Sequence, residues 1–178
     1  MALALTCLLA LPAPAAHAQA EQAPAIAIID MQRILRESVA GQAVQREIDQ
    51  RRNQFQAELQ QKEEALRNAS QELARQRAVL SSDAYARRRQ ELEREAADVR
   101  REMQRQRRGL DEVFGQGMTQ VRLELVEIVK EIASERAVDL VLAKTNVVLV
   151  RPDIEITDEA IARLNERLKS VPLAPAEN

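Results

Sequence analysis

Histidine and cysteine each occur once in the 178 residues, and both, Cys7 and His17, fall in the first 20. Everything beyond that stretch therefore lacks Ser-His and Cys-His nucleophile pairs, thiolate or imidazole metal sites and disulfide staples. There is no phosphate loop of the G-x-x-x-x-G-K or G-x-G-x-x-G kind, and Gly115-Gln116-Gly117 alone does not make one. No catalytic residue, cofactor or metal is assigned, and the chain is read as a non-enzyme. Aromatic residues make up only 2%, with no Trp, which argues against a thick core and against base stacking on nucleic acid. Proline is missing between Pro24 and Pro152, and glycine between Gly41 and Gly109.

Gln, Glu, Arg, Ala and Leu fill that gap, all of them residues that lose little side-chain freedom in a helix. Apolar residues recur at heptad spacing: Val44, Ile48, Phe55, Leu59, Leu66, Leu73 and Leu80, then Leu92, Val99, Met103, Leu110, Val113, Val121, Leu125, Ile128 and Ile132. So narrow a stripe between charged flanks is a coiled-coil seam. It breaks once, at Ser81-Ser82-Asp83, where small polar side chains compete for backbone hydrogen bonds and Ser81 or Ser82 can cap the next helix. The pattern predicts two antiparallel helices over residues 42–136 with a tip at 81–83, the first arm running from Gln42 to Leu80 and projecting into solvent.

Residues 1–20 have the pattern of a secretory signal. Met1 to Leu11 is apolar and too short to span a bilayer, and Ala16-His17-Ala18 and Ala18-Gln19-Ala20 both fit a small-residue cleavage site. The head is expected in two pieces, 21–41 and 137–170, with 171–178 a loose tail. Ile26 to Ile29 suits a strand; Asp30 can cap a short helix from Met31 to Glu37, and Gly41 marks the joint before the arm. Val138 to Ala143 and Val147 to Val150 are β-rich runs, and Lys144-Thr145-Asn146 between them predicts a tight hairpin. Thr157 is the expected cap of a last helix from Asp158 to about Lys169.

These strands are apolar at successive positions, whereas a strand wet on one face alternates. A head of about 55 residues is too small to cover a sheet on both sides alone. Several heads are therefore expected to share one core, with Ile26, Ile28, Leu140, Leu142, Val148 and Val150 in it. The fold class is α+β: a long helical hairpin on a small β-rich head that self-associates.

Two further features stand out. Arg75, Arg77, Arg87, Arg88 and Arg89 are joined between residues 75 and 89 by a single acid, Asp83. They are candidates for acidic unfolded chains or anionic lipid at the arm tip, weighed against a solvated face with Glu partners. Gly109, Gly115 and Gly117 lie within nine residues of the returning helix, each costing about 1 kcal/mol against Ala there. They read as a hinge near the arm's base, or as places where neighbouring chain packs close.

The segments Ile26-Ala27-Ile28-Ile29-Asp30-Met31 and Val138-Asp139-Leu140-Val141-Leu142, with Ile156-Thr157-Asp158 opening the last helix and the long charged hairpin between, resemble the Skp/OmpH family of periplasmic chaperones. The resemblance implies a homotrimer with a β-barrel body and helical tentacles around a cavity. It implies an ATP-independent holdase for unfolded outer-membrane β-barrel proteins, located in the periplasm. A basic lipopolysaccharide-binding patch belongs to some members; no Arg cluster of this arm matches it residue by residue. A structural coiled-coil spacer of the envelope is the alternative. Nucleic-acid binding is disfavoured by the net charge of −2.

Overall fold

The computed structural model describes residues 23–175; the signal-like stretch and the last three residues lie outside them. Strand β1 (Ile26–Ile29) leads into helix α1 (Met31–Glu37) and then α2 (Val39–Arg75). A 3-10 turn, Gln76–Ala78, precedes α3 (Ser82–Glu135), and β2 (Leu140–Ala143) and α4 (Thr157–Arg167) follow. At 54 residues, α3 is roughly 81 Å long at 1.5 Å per residue. The expected antiparallel hairpin on a small head is what the chain forms.

Capping chemistry sets the ends of these helices. The Ser38 side chain accepts from Gly41 N at 3.2 Å, so α2 starts at Val39, and Gly41 lies inside its first turn. The tight joint falls at Ser38, not at Gly41. Gly41 is nonetheless essential to it: a Cβ there would collide with the Leu35 carbonyl oxygen of α1. The first arm stops at Arg75, five residues short of Leu80, and Ser81 caps α3 through Ala84 N at 3.3 Å. Asp30 caps α1, accepting from Arg33 N at 2.8 Å.

The head departs from the predicted hairpin. β2 pairs in parallel with β1, Ile26 opposite Leu140 through Ile29 opposite Ala143. Lys144–Asn146 is a 3-10 turn and Val147 to Val150 forms no strand, with Val148 and Leu149 left almost wholly exposed. Parallel pairing requires a long crossover, and here the entire arm is that crossover. It also explains the continuous apolar runs, which are typical of parallel strands. Ile28 is buried within the protomer at 2% exposure, so its side chain is already spent there, whereas Ile26 and Leu140 are exposed.

Thr157 is the first residue of α4, not its cap; that position is held by Ile156. The Thr157 hydroxyl instead accepts from Asp30 N at 3.0 Å and donates to Glu155 at 2.9 Å, joining α1 to α4. Val44, Val121, Leu125, Ile128, Ile132, Ile156, Ala160 and Leu164 form one core with β1 and α1 at the root of the arm. The tail is not loose where it is described. Val171 is buried, Leu173 packs beside Ile48, Leu110 and Val113, and Arg51 donates to the Ala174 carbonyl at 2.6 Å.

Candidate functional site

The arm is sealed at its root and half-open beyond it. Ile48, Val113 and Leu110 are buried, but further out Phe55, Leu59, Leu66, Leu92, Val99 and Met103 are all only partly covered; Leu73 alone among these outer seam residues is buried. The two helices thus leave most of the outer seam incompletely enclosed. Shallow clefts result. One of about 290 Å³ is bordered by Phe55, Leu59, Met103 and Leu110, with Arg52, Arg107 and Asp111 at its edge. Another of about 410 Å³ lies over Leu66 and Val99, where Lys62 and Glu102 pair across the arms at 2.6 Å. That pair joins the two arms in their antiparallel register.

Of the tip arginines, three pair along their own helices: Arg75 with Glu72 at 3.9 Å, Arg88 with Glu91 at 3.1 Å and Arg89 with Glu93 at 3.3 Å. Arg77 stacks over Tyr85, 6.0 Å from the ring centre, and Arg87 reaches the Asp83 carbonyl at 3.4 Å. The acids responsible lie just outside the 75–89 window, so the window alone overstated the uncompensated charge. Such exposed pairs contribute about 0–1 kcal/mol and exchange readily for another anion.

The three glycines are not equivalent. α3 runs unbroken through all of them, and no glycine among the described residues has positive φ. A Cβ on Gly115 would meet open space, whereas one on Gly117 would lie 2.5 Å from Leu173 Cδ2 and 3.1 Å from Val44 Cγ1. Gly117 is thus a socket for the tail. Close packing was the alternative to a hinge here, but that the tail supplies it was not legible, because a lone Leu between two prolines gives no periodic signal.

Acid–base pairs pin α4 to the base of α3. Arg163 joins Glu135 and Glu159, Arg167 joins Glu131 and Glu124, and Arg136 joins Glu159. Hydrogen bonds from Arg167 and Arg163 hold the Glu131 and Glu135 carboxyls below their usual range, and the Arg163 guanidinium is correspondingly raised. Glu155 is lowered chiefly by the Lys144 ammonium, 2.9 Å away. These pairs are structural. Among the described residues no group of acids has metal-site geometry, and no helix is long and apolar enough to cross a membrane.

The match to the model of outer membrane protein (OmpH-like) covers residues 25–164, from β1 into α4. This chain belongs to the OmpH-like family. A solved structure from Caulobacter crescentus CB15, described as a candidate outer membrane chaperone (OmpH-like), shares the fold with a TM-score of 0.83. Identity is 22%, over 88% of this chain and 93% of that one. No curated protein matches at a significant level. At 22% identity the likeness extends to the fold, and the arm's side-chain chemistry has to be read from this chain.

Proposed function

We propose that this OmpH-like protein is an ATP-independent periplasmic holdase that shelters unfolded outer-membrane β-barrel proteins between projecting arms. The observation that carries the reading is the half-covered seam from Phe55 to Met103. It offers apolar strips too narrow to fold a client on and too exposed to be mere core. Flexible Arg, Glu, Gln and Met stems around them suit weak contacts that re-form on many sequences. A spacer rod has no use for that surface.

Self-association belongs to the same proposal. Ile26, Leu140, Val148 and Leu149 are exposed apolar groups on one small head; the far edge of β1 is bridged by Glu155 and Ile156, while β2 has no second strand beside it among the described residues. Three copies joined there enclose a space beneath their arms. Leu142 and Val150, partly covered in the protomer, complete that shared core. The tip arginines Arg75, Arg77, Arg87, Arg88 and Arg89 serve as exchangeable contacts for acidic clients or for anionic lipid, lipopolysaccharide included. Gly109 and Gly115 give the arm its bending point, while Gly117 stays pinned.

The test is dilution of a denatured outer-membrane barrel protein into buffer with and without the mature protein. Suppressed aggregation at one trimer per client supports the holdase; unchanged light scattering favours the spacer.

A further inference from the structure

The root of the arm carries a second concave surface, separate from the seam clefts. A groove of about 750 Å³ opens between α1, the start of α2 and α3, within the size range of ligand-binding clefts. Its apolar lining is Leu35, Phe114 and Met118, which pack on the core from one side and are partly uncovered on the other. Arg36, Arg46 and Arg122 border it, with amides from Gln32, Gln42 and Gln45, and no Asp or Glu lines it.

The three arginines share a property that the tip arginines lack. None has an acid four residues away on its helix, and none makes an ion pair or hydrogen bond among the described residues. Carboxylates close to them in sequence are occupied: Glu37 by Arg33 at 3.0 Å, Glu47 by Arg51 at 2.8 Å, Asp49 by Arg52 at 3.1 Å, and Glu124 by Arg167 at 3.4 Å. Three uncompensated guanidiniums around an apolar floor favour an occupant that brings apolar side chains and carboxylates together, since each fork binds a carboxylate bidentately.

We propose that this groove is a subsite for unfolded polypeptide, selective for segments in which Leu, Phe or other apolar residues adjoin Asp or Glu. It rests on the holdase reading and adds sequence preference to it. An apolar client side chain sits on Phe114 and Met118, and its neighbouring carboxylates engage Arg36, Arg46 and Arg122. Because the groove lies at the root, it anchors one segment near the head while the seam clefts hold the remainder loosely.

The probes are three fluorescein-labelled peptides carrying Leu/Phe with Glu, Leu/Phe with Lys, and Ser with Glu, titrated into the full mature protein at low and high ionic strength. The Leu/Phe-Glu peptide is expected to bind best and to weaken as salt rises. R36Q/R46Q/R122Q should lower its affinity at least about tenfold, and Met118→Ser should lower it too by removing the apolar floor without adding a charge beside the arginines. Equal binding of the Lys peptide, or unchanged binding by the triple variant, overturns the proposal. A change of oligomeric state in the triple variant makes the groove an interface between copies and overturns it too. So does saturation by anionic phospholipid vesicles with no peptide binding. Aggregation suppression by the wild type, measured alongside, separates the two readings. If the wild type protects clients and the triple variant binds peptide unchanged, the groove alone fails; if peptide binds but the wild type protects nothing, the holdase reading fails.

Discussion

Replacing Gly117 with Ala sets two opposing effects against each other at one atom. In a helix interior Ala is favoured over Gly by about 1 kcal/mol, so the arm itself gains. The new Cβ, however, would sit 2.5 Å from Leu173 Cδ2, and 3.1 and 3.3 Å from the Val44 methyls. Val44 is locked in the core at 1% exposure, so the tail is the side that moves. Leu173 is only partly buried, and its release forfeits about 1 kcal/mol, roughly half of what full burial of a Leu contributes. Gly117→Ala is therefore expected to leave global stability within about 0.5 kcal/mol of wild type while freeing residues 171–175. In a Leu173→Ala background the same change should stabilise by about 0.5–1 kcal/mol, a non-additivity that a double-mutant cycle reads directly. Gly115→Ala, which meets nothing, serves as the control. It should gain about 1 kcal/mol and raise Tm by about 2–4 °C at fixed protomer concentration. Urea unfolding of the four variants gives the energies, and amide hydrogen exchange at Val171 and Leu173 reports the tail. If Gly117→Ala stabilised as much as Gly115→Ala with the tail still protected, the socket would be refuted.

Gly41→Ala places a methyl against the fixed Leu35 carbonyl and not against a mobile side chain. It should cost about 3 kcal/mol and lower Tm by roughly 6–12 °C in a thermal scan. Acid should loosen α4. Glu131, Glu135 and Glu155 have folded pKa values below the usual 4.5, so their contribution is complete above about pH 4.5 and is lost as pH falls through those lower values. Tm should hold steady from pH 7 to about 5 and then drop, with a shallower drop in E131Q/E135Q/E155Q, whose Tm at pH 7 is already lower. Val148→Asp with Leu149→Asp puts charge where apolar surface is exposed. If the heads self-associate as proposed, sedimentation should show the wild-type assembly giving way to single subunits with helical content retained, and an unchanged profile removes those residues from the interface.

The arm was legible because its signal is periodic and local. Heptad spacing, a proline-free span and one serine break located both helices; misjudged were the start of the first arm, at Val39 and not Gln42, and its end, where a 3-10 turn follows Arg75. The head was less legible, because partners such as Ile26 and Leu140 are 114 residues apart and a continuous apolar run does not state its direction. Local turn chemistry at Lys144 to Asn146 favoured a hairpin, yet parallel pairing with β1 won because it places Ala27 and Ile29 against the core that α3 and α4 build. The tail and the root groove had no periodic mark at all. Both depend on which faces of α2 and α3 are left over once the core is filled.

The same topology explains why the arm's two ends behave differently. An arm that is the crossover between paired parallel strands has both of its roots fixed by the sheet and by α4, so the helices cannot slide there. Past Leu110 the half-covered seam, the Lys62–Glu102 pair and Arg77 over Tyr85 are among the contacts that hold them, and an exposed pair contributes less than about 1 kcal/mol. Local opening free energy must therefore fall from root to tip, the low-stability end being where apolar surface is most available to a passing chain. Any change that dries the outer seam, such as larger apolar residues at Ala69 or Ala96, should stiffen the arm and weaken client capture together, since both draw on the same uncovered surface.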